Sequence, residues 1–231
     1  MISLFKKIPV KNKEIFAHAV LLAGVVLFSL SVFFFLRPKS TISGLPAKAQ
    51  FLPIPTPQAQ GNAMGNPDAP VTMIEFSDFR CPYCRQFALE TEPLLIEEYV
   101  ATGKVYFIYR TLGDWLGPQS QASAEAAYCA AEQNKFWEYH DLLFANQDLV
   151  DFSAQNLLGF AEELGLNMDQ FEDCLQNGEY RPQVEKDLQD GLLAGVRGTP
   201  SFLINGRFIA GSQAYAVFQQ EIEAALKNSK P

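Results

Sequence analysis

The chain has 231 residues, 48% of them apolar, with a net charge of −8 and four cysteines. Residues 1–40 hold six Lys/Arg and one acid (net +5), which leaves −13 on residues 41–231. So acidic a body argues against binding nucleic acid or an anionic membrane surface, while the apolar content suffices for a real core.

Residues 1–15 form a basic N-terminus containing Lys6, Lys7, Lys11 and Lys13. Phe16 to Leu36 comes next as 21 residues without a charge. As a helix it would span about 31 Å, enough to cross a bilayer core. Arg37 and Lys39 come after it, and the excess of lysines before it favours a cytoplasmic N-terminus. The segment reads as a transmembrane signal-anchor. A cleaved signal is the competing reading, with Ala47-Lys48-Ala49 as a small-x-small site, although its apolar core would be unusually long. Either reading exports the rest of the chain, and an oxidising compartment permits stable disulfides.

Residues 37–66 read as a linker, with Pro46, Pro53, Pro55, Pro57, Gln58, Gln60, Gly61 and Gly65. Residues 67–231 fit one domain. Val71 to Ser77 is rich in β-branched and aromatic residues and is expected to be a strand. Cys81-Pro82-Tyr83-Cys84 comes next, opening a helix expected to run to Ala101 with a kink or break at Pro93. A C-x-x-C at a strand-to-helix junction sets the first sulfur at the positive end of a helix, where a thiolate is stabilised. Lys104 to Thr111 reads as a second strand.

A helical block occupies about residues 113–196. Its expected helices are Gln121–Ala131, Lys135–Asn146, a third capped by Ser153 and ending at Leu164, Asp169–Gln176, and Pro182–Val196. Ser201–Ile204 and Arg207–Ala210 flank Asn205-Gly206, a strong two-residue hairpin signal. Ala214–Lys227 closes as an amphipathic helix. Without the helical block the order is β-α-β then β-β-α, that of a thioredoxin fold. Cys129 and Cys174 stand alone, so a four-cysteine zinc site lacks its second close pair and no metal is expected.

The chain resembles the DsbA-like branch of the thioredoxin superfamily, the exported thiol:disulfide oxidoreductases. The resemblance rests on Asn66-Pro67-Asp68-Ala69-Pro70-Val71, Glu75-Phe76-Ser77-Asp78-Phe79, the C-x-x-C, Lys135-Phe136-Trp137-Glu138-Tyr139-His140-Asp141, Gly198-Thr199-Pro200 and the hairpin, over roughly residues 64–228. It implies an α/β thioredoxin fold with an inserted all-helical subdomain, here preceded by a transmembrane helix and linker.

The resemblance makes Cys81 the nucleophile and exposed half of a redox disulfide, and Cys84 the buried resolving thiol. Pro82 and Tyr83 would tune the potential, with packing alone the other role open to Tyr83. Thr199 and Pro200 would share a cis bond opposite Cys81, against an ordinary trans proline at a strand edge. Glu75 would lie beneath the pair and assist proton movement to Cys84, unless it is a solvent-facing strand residue. Cys129 and Cys174 would form a second disulfide, the alternative being two buried thiols. His140 is expected to be structural or exposed.

The function expected is introduction of disulfides into exported proteins from a single-pass bacterial membrane anchor, with the domain on the extracytoplasmic side. The partners implied are reduced exported proteins and a membrane quinone-linked reoxidising protein, since the chain carries no cofactor motif. A reductase or isomerase on the same fold, or a non-catalytic binding or chaperone module, are the alternatives.

Overall fold

The computed structural model describes residues 59–229, so the predicted anchor at 16–36 and most of the linker lie outside the described residues. Among those described, no helix is long and apolar enough to cross a membrane.

Strand β1 (Ala63–Met64) precedes β2 (Val71–Ser77), and helix α1 (Pro82–Glu90) follows. A short helix α2 (Glu92–Leu95) and a π-helical turn (Ile96–Val100) lead to β3 (Val105–Thr111). The inserted helices are α3 (Pro118–Ala131), α4 (Phe136–Asn146), α5 (Ala154–Glu163), α6 (Met168–Asn177) and α7 (Arg181–Leu193). The hairpin β4 (Ser201–Ile204) and β5 (Arg207–Ala210) and helix α8 (Tyr215–Asn228) complete the chain.

The sheet order is β1-β3-β2-β4-β5. Only β2 and β3 are parallel, in register from Val71 opposite Val105 to Ser77 opposite Thr111. Parallel neighbours need a crossover, and the α1–α2 segment provides it. The hairpin turns on Asn205 (φ 46°) and Gly206 (φ 84°), the two positive φ values a tight two-residue turn demands.

The long helix expected over 82–101 is broken. Pro93 has no N–H to give the turn before it, and the chain divides at Thr91. The i→i+5 bond from Ala101 N–H to the Ile96 carbonyl then widens the last turn. Ser153 occupies the N-cap position of α5, but its side chain makes no capping bond. The linker, expected to reach Asn66, gives way to the sheet earlier. Ala63 and Met64 pair with Ile108 and Phe107, and the Trp137 indole N–H donates to the Ala63 carbonyl at 3.3 Å.

The sheet is covered on both faces. One carries Met73 and Phe202 against Phe87, Phe218 and Ile222 of α1 and α8, and the aromatic residues of α4 join the same core. The other carries Phe76 and Leu112 with Val196 and Leu188. There α7 comes so close that a Cβ on Gly191 would lie 2.8 Å from Leu112 Cδ2 and 3.0 Å from Phe76 Cδ1. Helix α3 is a small-residue face, with Ala124, Ala126, Ala127 and Ala130 buried, which lets its neighbours approach.

Cys129 of α3 and Cys174 of α6 are joined by a disulfide across a separation of 45 residues. Beside it, Glu132, Cys174 and Glu179 bring possible ligand atoms within 4.8 Å of one another, but the Cys174 sulfur is already committed.

Candidate active site

Strand β2 ends at Ser77, and three residues turn the chain into α1. The Asp78 carboxylate accepts from the Arg80 N–H at 2.8 Å, and the Asp78 carbonyl accepts from the Cys81 N–H at 2.9 Å. This closes the turn and leaves Cys81 as the N-cap of α1, in extended conformation, with Pro82 in the first helical turn. The orphan amides of Tyr83 and Cys84 therefore face the Cys81 sulfur.

Cys81 and Cys84 are both free thiols with opposite tendencies. The Cys81 thiol is held down at about 6. A hydrogen bond from Cys84 is the largest cause; the Thr199 side chain and the two amides add to it against the cost of partial burial. Cys84 is completely buried, and burial followed by the neighbouring Cys81 and Glu75 charges pushes it well above the usual thiol range. Near neutral pH the pair is a thiolate next to a thiol.

The expected exposure of Cys81 needs correction. The residue is 5% exposed, against 0% for Cys84, so only a small window reaches solvent. Tyr83, beside it, is 64% exposed. The Thr199–Pro200 bond is cis, Pro200 is buried, and the Thr199 carbonyl accepts from the Cys81 thiol at 3.4 Å.

Two residues that sequence reasoning missed clamp the site against the α4 region. Gln147 Nε2 donates to the carbonyls of Phe79 and Cys81 at 2.6 and 3.0 Å. Arg85, next after Cys84, donates from Nε to the Phe144 carbonyl at 2.9 Å and pairs with Asp148 at 3.3 Å. Neither has a sequence signal, because both act on backbone brought near by the insertion.

Glu75 is fully buried in the central strand, between Tyr109 and Phe202 in register. Its solvent-facing alternative is thereby excluded. Burial pushes its carboxyl up to about 8, with Cys81 adding to the rise. The Ser77 hydroxyl damps the rise but does not reach hydrogen-bonding geometry, and neither carboxylate oxygen has a partner. Thus a protonated Glu75 lies beneath Cys84 at neutral pH.

The interior holds more acid than expected. Glu92 is buried, and its spacing after Cys84 and Ala88, with Leu95 next, puts it on the apolar stripe of the helix. That i, i+4, i+8, i+11 pattern is the signal that marks it. His140 is also buried, 1% exposed, so its exposed alternative falls.

A profile described as "Thioredoxin" matches residues 58–224. The probable disulfide bond formation protein D of Bacillus cereus is 32% identical over 151 residues, 62% of this chain and 69% of that protein. Na(+)/H(+) antiporter NhaA 3 of Salinispora tropica is 39% identical over 157 residues, 68% of this chain. The match spans only 23% of that antiporter's length, so ion transport is not carried over. Among solved structures, oxidised BdbD from Bacillus subtilis superposes with a TM-score of 0.67 at 25% identity, over 74% of this chain and 96% of that one. A thioredoxin-like oxidoreductase from Silicibacter pomeroyi gives 0.63 at 28% identity, over 71% and 91%. The chain belongs to the thioredoxin family, on its DsbA-like disulfide-oxidoreductase branch.

Proposed function

We propose that this protein introduces disulfides into exported proteins, using Cys81 as nucleophilic sulfur and Cys84 as resolving thiol. The observation that carries the proposal is the opposed pair: a Cys81 thiol held near 6 beside a Cys84 thiol pushed well up. A stabilised Cys81 thiolate is a good leaving group and favours the reduced form, which makes the disulfide an oxidant.

In the forward step a substrate thiolate attacks Cys81 of the Cys81–Cys84 disulfide. The new bond joins substrate sulfur to Cys81, and Cys84 leaves with the electron pair. Cys84 then takes a proton, for which Glu75 is the donor. A second substrate thiolate attacks the substrate sulfur of the mixed disulfide and releases Cys81 as thiolate. The substrate is oxidised by two electrons and the protein reduced by two. The backbone at Thr199 offers an extended substrate segment a strand-like partner beside the sulfurs.

Residues 16–36 would tether the domain on the outer side of a bacterial membrane. Reoxidation falls to a membrane quinone-linked protein. The test is oxidative refolding of a reduced multi-thiol substrate by stoichiometric oxidised protein. Recovery of native substrate is expected with the wild type and not with Cys81→Ser. If the wild type instead reduces or only reshuffles existing disulfides, the reductase or isomerase reading takes its place. Binding without exchange by the wild type would favour a chaperone module.

A further inference from the structure

Beneath the cysteine pair, buried polar atoms stand without partners: both Glu75 carboxylate oxygens, the Tyr109 hydroxyl, Glu92 Oε2 and His140 Nε2. Interiors pair nearly all such atoms, so several in one place need a reason. They form a sequence with an inner and an outer end. At the inner end Glu75 lies in register with Tyr109, whose ring meets the His140 ring edge-on at 5.3 Å, and the Glu75 charge bears on both Cys84 and Glu92. Glu92 Oε2 faces His140 Nε2 at 3.9 Å, a gap that a small side-chain shift closes. On the other side of the ring, His140 Nδ1 contacts Asp141 Oδ1 at 2.9 Å, and the Asp141 side chain is 33% exposed. The rings of Phe79, Tyr109, Trp137 and Phe144 pack around His140 and close off a direct aqueous route.

We propose that Glu92 and His140 are a proton path that connects Glu75 to solvent, with Asp141 as its mouth. The path rests on the exchange chemistry proposed above, and it answers a question which that chemistry leaves open. Glu75 is fully buried, so after giving its proton to the Cys84 thiolate it needs a source that is not bulk water.

The protons balance along the path. Cys84 gains the proton of Glu75; Glu75 gains that of Glu92; Glu92 gains one from His140 Nε2 as Nδ1 receives another from the Asp141 side. One proton enters from solvent for each proton that Cys84 takes up. When a partner disulfide reoxidises the pair, Cys84 loses its proton and the same path runs outward, which restores the ring. The charged and titratable groups around the path are Glu75 and Tyr109 from the sheet, Asp78 from the turn, Cys81 and Cys84 at the start of α1, Tyr128 on α3, and Asp141 beside His140 on α4. Glu92 and His140 touch neither sulfur, so both are positioning residues that act through Glu75.

The test is the rate of reduction of the oxidised protein by glutathione from pH 5.5 to 9. Each variant is divided by the wild type at each pH, which cancels the titration of glutathione itself. Glu92→Gln is expected to slow the reaction about tenfold at neutral pH, less than the 10²–10⁴ typical of a direct proton donor. It should also alter the pH profile. His140→Phe, which keeps an aromatic ring in the box, should do the same. In the Glu75→Gln background, Glu92→Gln should add no further slowing, because the path then leads nowhere. An unchanged pH profile in both single variants, or full additivity with Glu75→Gln, overturns the path. A wild type that does not exchange with glutathione at all overturns the parent reading instead. Unaltered thermal unfolding of Glu92→Gln, or else His140→Phe alone, keeps the comparison interpretable if one variant folds poorly.

Discussion

Cys81 and Cys84 share one helical turn, yet one is poised to ionise and the other to stay protonated. The largest cause of the low Cys81 value is the Cys84 thiol itself. Alkylation of the reduced protein by iodoacetamide should therefore rise with a midpoint near pH 6, and Cys84→Ala should move that midpoint upward. Glu75 supplies a second pH signature. Its folded value of about 8 lies above the ordinary 4.5, so between these pH values the folded state binds more protons than the unfolded one. Its contribution to stability is whole below about pH 4.5 and is lost as pH rises through 8. Glu75→Gln removes that loss. Urea unfolding should show the variant gaining on the wild type from pH 5 to 8, by on the order of a few kcal/mol. A difference that stays constant over this range contradicts a buried, perturbed carboxyl. At this scale the cysteines and Thr199-Pro200 were legible because their spacing and order are local. Gln147 and Arg85 were not, because each bonds to backbone contributed by a distant segment.

The elements were mostly readable where periodicity is strong. Strands β2, β4 and β5 fall on the residues that β-branched and aromatic content and the Asn-Gly turn indicate. The misses arise from tertiary pairing. Strand β1 is only Ala63–Met64, too short for any periodic signal, and exists because β3 offers an edge and Trp137 a donor. The break at Thr91 was foreseeable from Pro93, but the π-helical turn beyond it was not. Contacts between elements have measurable worth. Gly191→Ala should destabilise by about 1–3 kcal/mol through overpacking against Leu112 and Phe76, even though alanine favours a helix. Replacing Cys129 and Cys174 by serine opens a loop of 45 residues and should cost about 2–4 kcal/mol while exchange at Cys81 persists, as denaturant midpoints and a glutathione assay would show.

For the whole molecule, the thioredoxin core supplies the sulfurs and the inserted helices supply their surroundings. Helix α4 and the residue after it contribute His140 inside and Gln147 at the rim, and α7 closes the opposite face of the sheet. If the protein is an oxidant, its reduced form must be the more stable one, since a stabilised thiolate is what drives the disulfide to be spent. Thermal unfolding of the two forms should then rank reduced above oxidised. The most direct measurement is the equilibrium of the Cys81/Cys84 pair against glutathione buffers at pH 7. A disulfide oxidase predicts a potential well above thioredoxin's, in the region of about −120 to −180 mV. A value near or below about −270 mV would contradict the account and make the protein a reductase.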